Sequence, residues 1–262
     1  MKITVLASGS AGNATLIESD GTRILVDAGI GSRTVARKLR DTGAEGLPQA
    51  IVVTHAHADH VSHCARLARR LRVPVHATEA ASRGAALGGN VHKMASRGDF
   101  AIGAIRISTL PVPHDVAQVA LVFDDGRRRV ALATDLGEVT AALFDHVAHC
   151  DALLLESNHD GAMLESGPYP ETLKSRIASR HGHLSNAQAC ELLRRVGRSV
   201  RHVVLMHLSE TNNHPELARQ AAADALAGRG VRLSVAHQRE PVVVRLDDAP
   251  RPRQLMLPGT LV

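Results

Sequence analysis

The sequence predicts an α/β protein in which two mixed sheets pack face to face with helices outside, an αββα four-layer sandwich. Three observations lead there. Hairpins over residues 15–26 and 119–133 each join two β-rich runs around an Asp-Gly turn. After the second hairpin, short apolar strands alternate with amphipathic helices. The chain therefore falls into two rough halves, and paired sheets with outer helices satisfy that order. With 262 residues, 44% of them hydrophobic, it is long enough to build a sizeable core.

Residues 1–7 read as a first strand, because one cation and a very short apolar stretch are too little for a signal peptide. Residues 32–40 have helical spacing, with Ser32 as cap and Gly43 as stop. Ile51-Val52-Val53 is a short buried strand, and residues 60–71 form a helix before Pro74. A strand over 105–110 precedes the second hairpin. Helices over 138–148, 170–179, 186–196 and 215–227 then alternate with strands over 152–155, 202–205, 231–233 and 242–244. The domain is expected to span residues 1–246, followed by a tail, 247–262, containing Pro250, Pro252 and Pro258.

Composition narrows the function. No apolar run approaches the roughly 18 residues that span a bilayer, so no membrane partner is expected and the location is read as cytoplasmic. Aromatic residues are 2% of the chain, too few for stacking bases along a single strand. Histidines number 16, and metal binding is the first demand to test against so many imidazoles. A net charge of +5 favours an anionic partner without establishing one. Cys64, Cys150 and Cys190 are odd in number and lack C-x-x-C spacing, so they read as buried thiols.

The stretch Thr54-His55-Ala56-His57-Ala58-Asp59-His60 is the most informative. It follows a buried strand and precedes a helix, where ligands can converge. In an extended backbone His55 and His57 point the same way, and Asp59 and His60 turn to a neighbouring point as the helix begins. These four ligands start two metal centres and complete neither. Further candidates stand at other strand ends: His114 after 105–110, Asp135 after 129–133 and His207 after 202–205.

The His-x-His-x-Asp-His stretch, with His114, Asp135 and His207, resembles the metallo-β-lactamase fold superfamily. Ala7-Ser8-Gly9-Ser10-Ala11-Gly12-Asn13, Leu25-Val26-Asp27-Ala28-Gly29, Glu156-Ser157-Asn158-His159-Asp160, Gly167-Pro168-Tyr169-Pro170, Gly182-His183-Leu184-Ser185-Asn186 and His207-Leu208-Ser209 resemble its YycJ/WalJ-type hydrolases. The similarity runs from Met1 to about Val244 and leaves out the tail. A Gly usually stands in that family where His63 stands here, so His63 is not counted as a ligand. The resemblance implies two divalent metals, with zinc, manganese and iron all compatible with the donors. His55, His57 and His114 would hold the first, and Asp59, His60 and His207 the second, with Asp135 bridging. A water between the metals would be deprotonated to the attacking hydroxide, oriented by Asp59. Asp27 would act from behind the ligands, as an acceptor fixing their loop.

The same fold carries lactam, thioester, lactone and phosphodiester hydrolysis, so the fold does not choose the substrate. Three features favour phosphodiesters. The ligand set includes both His60 and Asp135. His183 resembles the histidine that protonates the leaving group in RNase Z-like enzymes, and Glu156 resembles the carboxylate that orients it. Asn158 and His159 are candidates for the scissile phosphate, as are Ser10 and Asn13 in the glycine-rich loop. Lys174, Arg176 and Arg180, expected on one helix, are candidates for backbone phosphates. The YycJ/WalJ-type resemblance implies a 5′-to-3′ exonuclease on double-stranded DNA. A small-molecule hydrolase of cyclic phosphates, thioesters or lactones is the alternative, and a non-catalytic metal-binding protein is a third reading. Only 72 residues separate Asp135 from His207 and those are already assigned to helices and strands. The extra domain that β-CASP nucleases insert there has no room, so grip on a long substrate must come from the core surface or a partner.

Overall fold

A computed structural model describes residues 1–246; the expected tail lies outside them. Strands β1 (Lys2–Ala7), β2 (Ala14–Ser19), β3 (Thr22–Val26), β4 (Ala50–Val52), β5 (Val75–Ala77) and β6 (Val91–Lys93) lie side by side in that order. A second sheet holds β7 (Gly98–Ile102), β8 (Ile105–Val112), β9 (Gln118–Asp124), β10 (Arg129–Ala133), β11 (Ala152–Glu156), β12 (His202–Met206) and β13 (Arg232–Val235). Strand β14 (Val242–Arg245) returns to the first sheet and pairs antiparallel with β1. Each sheet is mixed: β1 to β3 and β7 to β10 are antiparallel, while β3 to β6 and β10 to β13 are parallel.

Alternation along the strands sorts side chains between layers. Leu154 on β11 points between the sheets with Ile3, Ile17, Phe123 and Val204. Its neighbours Leu153 and Leu155 point outward onto the helices. On β3, Ile24 and Val26 face the other sheet while Leu25 faces outward. Strands covered on both faces must be apolar throughout, which is why β11 reads Ala-Leu-Leu-Leu.

Helices α1 (Ser32–Asp41), α2 (Ala58–Val61), α3 (Cys64–Leu71) and α4 (Glu79–Gly84) belong to the first half of the chain. Val35 and Leu39 of α1 and Leu67 of α3 share the outer core of the first sheet. The second half adds α5 (Ala141–Val147), α6 (Gly161–Ser166), α7 (Glu171–Ile177), α8 (Asn186–Arg195) and α9 (Pro215–Ala225). Leu143 of α5, Leu193 of α8 and Ala222 of α9 cover the second sheet. The four layers match the predicted sandwich.

Local differences have local causes. Gly31, not Ser32, is the N-cap of α1, and no side chain caps it. The single helix expected over 60–71 is two, because the backbone leaves the helical path at His63, with φ −113° and ψ 2°. Helix α5 starts at Ala141 rather than 138, because the Thr140 side chain accepts from Leu143 N and sets the first turn there. Strand β8 runs on to Val112, and the short β5, β6 and β7 were not read from pattern at all.

Candidate metal centre

Parallel strands β3, β4, β10, β11 and β12 end on one rim, and the residues after them build the site. Asp27, Asp135 and His207 follow β3, β10 and β12 with φ of 59°, 57° and 55°. This left-handed backbone costs a non-glycine residue about 1–3 kcal/mol, and here it turns each side chain toward the cluster.

His55, His57 and His114 form one group of convergent ligand atoms; Asp59, His60, Asp135 and His207 form a second. The hydrogen bonds fix which nitrogens face inward. Thr54 Oγ1 donates to Asp27 and lies 3.0 Å from His55 Nδ1, so it accepts from that nitrogen. His55 Nε2 is left buried with no partner. His114 Nδ1 donates to Gly182 O at 3.1 Å, and His57 Nε2 donates to Asp115 at 3.1 Å. His114 Nε2 and His57 Nδ1 then face each other 3.3 Å apart as two lone pairs. Burial, reinforced by neighbouring imidazoles, holds His55 well below its ordinary range; burial and His183 lower His114. Three imidazoles whose ligand nitrogens converge on one point fit a cation there.

In the second group, Asp27 Oδ2 accepts from His60 Nδ1 at 2.7 Å and from Thr54 Oγ1, while its Oδ1 accepts from Thr54 N. His60 Nε2 faces Asp135 Oδ2 at 3.1 Å and Asp59 Oδ2 at 3.4 Å. His207 Nε2 faces Asp59 Oδ2 at 3.3 Å and Asp135 Oδ1 at 3.5 Å. Burial opposes charge on both rings, yet Asp135 and Asp27 raise His60 well above its ordinary range, and Asp135 with Asp59 raises His207 to about 10. Burial also opposes charge on Asp59 and Asp135, but the cluster's histidines hold both carboxyls well below the carboxylate range. The rim is therefore a buried, strongly negative site that demands positive charge, and its donor set suits divalent ions.

Glu156, His183, Asp135 and His207 also lie close enough to form a ligand group. Glu156 is nevertheless fully engaged by protein donors. Oε2 accepts from Leu136 N and Leu184 N, both at 3.0 Å. Oε1 lies 2.8 Å from His183 Nδ1 and 3.3 Å from His207 Nδ1. Burial would raise Glu156, but the adjacent His183 carries it down to about 2. Burial would lower His183, but Glu156 raises it.

A cleft of about 180 Å³ opens onto the cluster, lined by Asp59, His114, Asp135, His183 and His207 together with Ser10 and Arg176. Other expected substrate contacts lie elsewhere. Asn13 is buried, its Nδ2 within 3.2 Å of Gly9 O, Asp59 Oδ2 and His60 Nε2. Asn158 is buried and donates to His207 O at 2.8 Å, while His159 is buried and bridges to Ser185. These three are buried beside the ligands and do not line the cleft. Lys174 does not reach the cleft: it is tied to Glu171 at 2.9 Å and to Glu165 O. Arg180 lies beyond the end of α7 and pairs with Glu138.

The sequence reading missed several supports. Asp115 lies within 3.3 Å of both His57 and His114, and its place beside His114 was the available signal. Gln238 accepts from Ala11 N and donates to Gly12 O, pinning the glycine-rich loop from more than 220 residues away. Asn213 joins Ser157 O, Asn158 O and Asn186 in a buried network beneath the rim.

The match to the Beta-lactamase superfamily domain covers residues 22–208. The chain is 34% identical over 239 residues to exodeoxyribonuclease YycJ of Bacillus anthracis, covering 88% of this chain and 90% of that protein. It is also 34% identical to exodeoxyribonuclease WalJ of Streptococcus pneumoniae, over 86% of this chain and 88% of the relative. The metallo-beta-lactamase fold protein YhfI of Bacillus subtilis superposes with a TM-score of 0.71 at 19% identity, covering 92% of this chain and 98% of YhfI. With a superfamily match across both ligand groups and relatives alike along most of its length, the chain belongs to the metal-dependent hydrolases of the beta-lactamase superfamily, in their YycJ/WalJ branch.

Proposed function

We propose that this hydrolase cleaves phosphodiester bonds in double-stranded DNA as a 5′-to-3′ exonuclease, using two divalent metals, zinc or manganese. The observation that carries the reading is the Glu156–His183 pair beside the ligand cluster. Its curated relatives are named exodeoxyribonucleases, which supports DNA as the polymer.

His55, His57 and His114 would hold one metal; Asp59, His60 and His207 would hold the other. Asp135, whose charge acts on His55 and His114 as well as on His60 and His207, is assigned to both. When bound, the metals supply Lewis acidity, lowering the pKa of water and neutralising phosphate charge. Asp59 lines the cleft, where it would orient the attacking water. His183, with Nδ1 held by Glu156, keeps Nε2 for the leaving oxygen. The buried carboxylate raises that imidazole above its ordinary range, which favours the protonated form a general acid requires. Arg176 lies on the cleft wall, where it would contact a phosphate of the bound strand. Asp27 fixes the His60 ring with Nε2 inward.

The test is hydrolysis of duplex DNA labelled at either end, beside bis(p-nitrophenyl) phosphate, with zinc and with manganese. Stepwise release of nucleotides from the 5′ end is expected. A protein fully loaded with metal that cleaves neither substrate would overturn the reading.

A further inference from the structure

We propose that the outer face of α1 and α3 is the track on which a DNA duplex lies while its end is held at the metal centre. The proposal rests on the nuclease reading above and assigns the grip that reading leaves open. A duplex carries about one charge per 1.7 Å of axis. The cleft, of about 180 Å³, accommodates little more than the scissile group, and Arg176 on its wall is a single cation. Lys174 and Arg180 are committed to carboxylates.

Helices α1 and α3 both begin at the metal rim. Ala28 N donates to His60 O at 2.7 Å, and His63 N donates to Ala28 O at 2.9 Å, which ties the two starting points together. Each helix follows one of two parallel neighbours, β3 and β4, so both run back from the rim in the same direction. They flank a shallow cleft lined by Ala36 and Leu39 from one and by Leu67 and Leu71 from the other.

Their outward faces carry one sign of charge. Arg33, Arg37 and Arg40 are exposed on α1; Arg66, Arg69 and Arg70 are exposed on α3, with Arg72 just after it. The spacings i, i+4, i+7 on α1 and i, i+3, i+4 on α3 align each set in a row about 10 Å long or less. Both helices cover the outer face of the first sheet, so the rows run side by side. Asp41 is the acidic residue within these two helices, and it pairs with Arg37 at 3.2 Å. Arg33, Arg40, Arg66, Arg70 and Arg72 make no ion pair among the described residues. A face serving only solubility mixes its signs, as α9 does with Glu216, Arg219 and Asp224. Two parallel rows of guanidinium groups, of which Arg37 alone is ion-paired among the described residues, start at a phosphodiesterase rim and fit a polyanion leaving it.

The test measures anisotropy of a fluorescent duplex with phosphorothioate-blocked ends, bound to the metal-loaded protein across a salt series. Arg40→Glu/Arg70→Glu is compared with Arg106→Glu/Arg219→Glu, which makes the same net-charge change on exposed arginines elsewhere. The first pair is expected to weaken binding at least tenfold and to flatten the slope of log K against log salt by about 2, near 0.9 per lost phosphate contact. The second pair should leave the slope within experimental error. The milder Arg40→Gln/Arg70→Gln should flatten the slope similarly without adding repulsion. Equal effects from both reversals, or none from either, overturn the track; none from either would leave the face to an acidic protein partner. If the wild type cleaves end-labelled duplex yet the pairs bind it alike, the track fails and the nuclease reading stands. If the wild type hydrolyses bis(p-nitrophenyl) phosphate but neither binds nor cleaves duplex, the DNA reading fails and the track with it.

Discussion

Glu156 Oε1 lies 2.8 Å from His183 Nδ1, in a carboxylate with no exposed surface. A buried charge held this close fixes the orientation of the imidazole and favours its protonated form. His183→Ala should therefore keep full metal content while losing roughly 10²–10⁴-fold in rate on DNA. On bis(p-nitrophenyl) phosphate, whose leaving group departs without a proton, the loss should be much smaller. Equal losses on both substrates would remove the general-acid role, and loss of metal would make His183 a ligand. Glu156→Gln should show the same pattern more weakly, and His159→Ala, buried away from the cleft, should show no dependence on leaving group.

Asp135 is buried among imidazoles of both ligand groups, with its carboxyl held well below the usual range. Asp135→Ala should reduce the metal bound per chain in both groups. Elemental analysis that finds unchanged metal content would refute the bridging assignment.

Asp27 accepts three hydrogen bonds, from His60 Nδ1, Thr54 N and Thr54 Oγ1. Asp27→Asn should weaken metal affinity about 10–100-fold, as is typical when the partner behind a ligand is lost. Competition with a chelator measures this directly, and wild-type affinity in the variant would contradict it.

Metal uptake should be strongly pH-dependent. His60 and His207 are raised in the folded protein, the latter to about 10, by surrounding carboxylates. Proton binding to His207 thus stabilises the metal-free fold fully below its unfolded pKa of about 6.5, and that contribution is lost as pH rises toward 10. A metal needs the same rings neutral, so its affinity should increase over that interval as protons are released. The melting temperature in chelator should fall from pH 6.5 to 10, and the gain on adding metal should grow. A gain independent of pH would contradict the arrangement.

The sandwich was legible because alternation and turns are local signals: the Asp20-Gly21 hairpin and the apolar run of β11 stand where the sequence put them. Strands β5 and β6 are short and set His or Lys among their few residues, so they lack the apolar run that marks β4. The ligand residues were legible for another reason, since each is a polar residue set against an apolar strand end. Their supports were not. Gln238 and Asn213 act through contacts whose partners are distant in sequence, and nothing local marks them. Asn158 and His159 stand in a string of polar residues, and nothing local marks their burial or the bond from Asn158 to His207 O.

The left-handed backbone at Asp27, Asp135 and His207 bears on how this chain would change if its chemistry were no longer needed. At each position glycine would relieve the conformational cost, about 1 kcal/mol or more, while deleting the side chain that faces the cluster. Backbone conformation and chemistry thus favour opposite residues at the same three places. In a lineage retaining the fold but not the reaction, glycine should accumulate at these positions before the core leucines change. A descendant carrying glycine at all three would have kept the architecture and retired the enzyme.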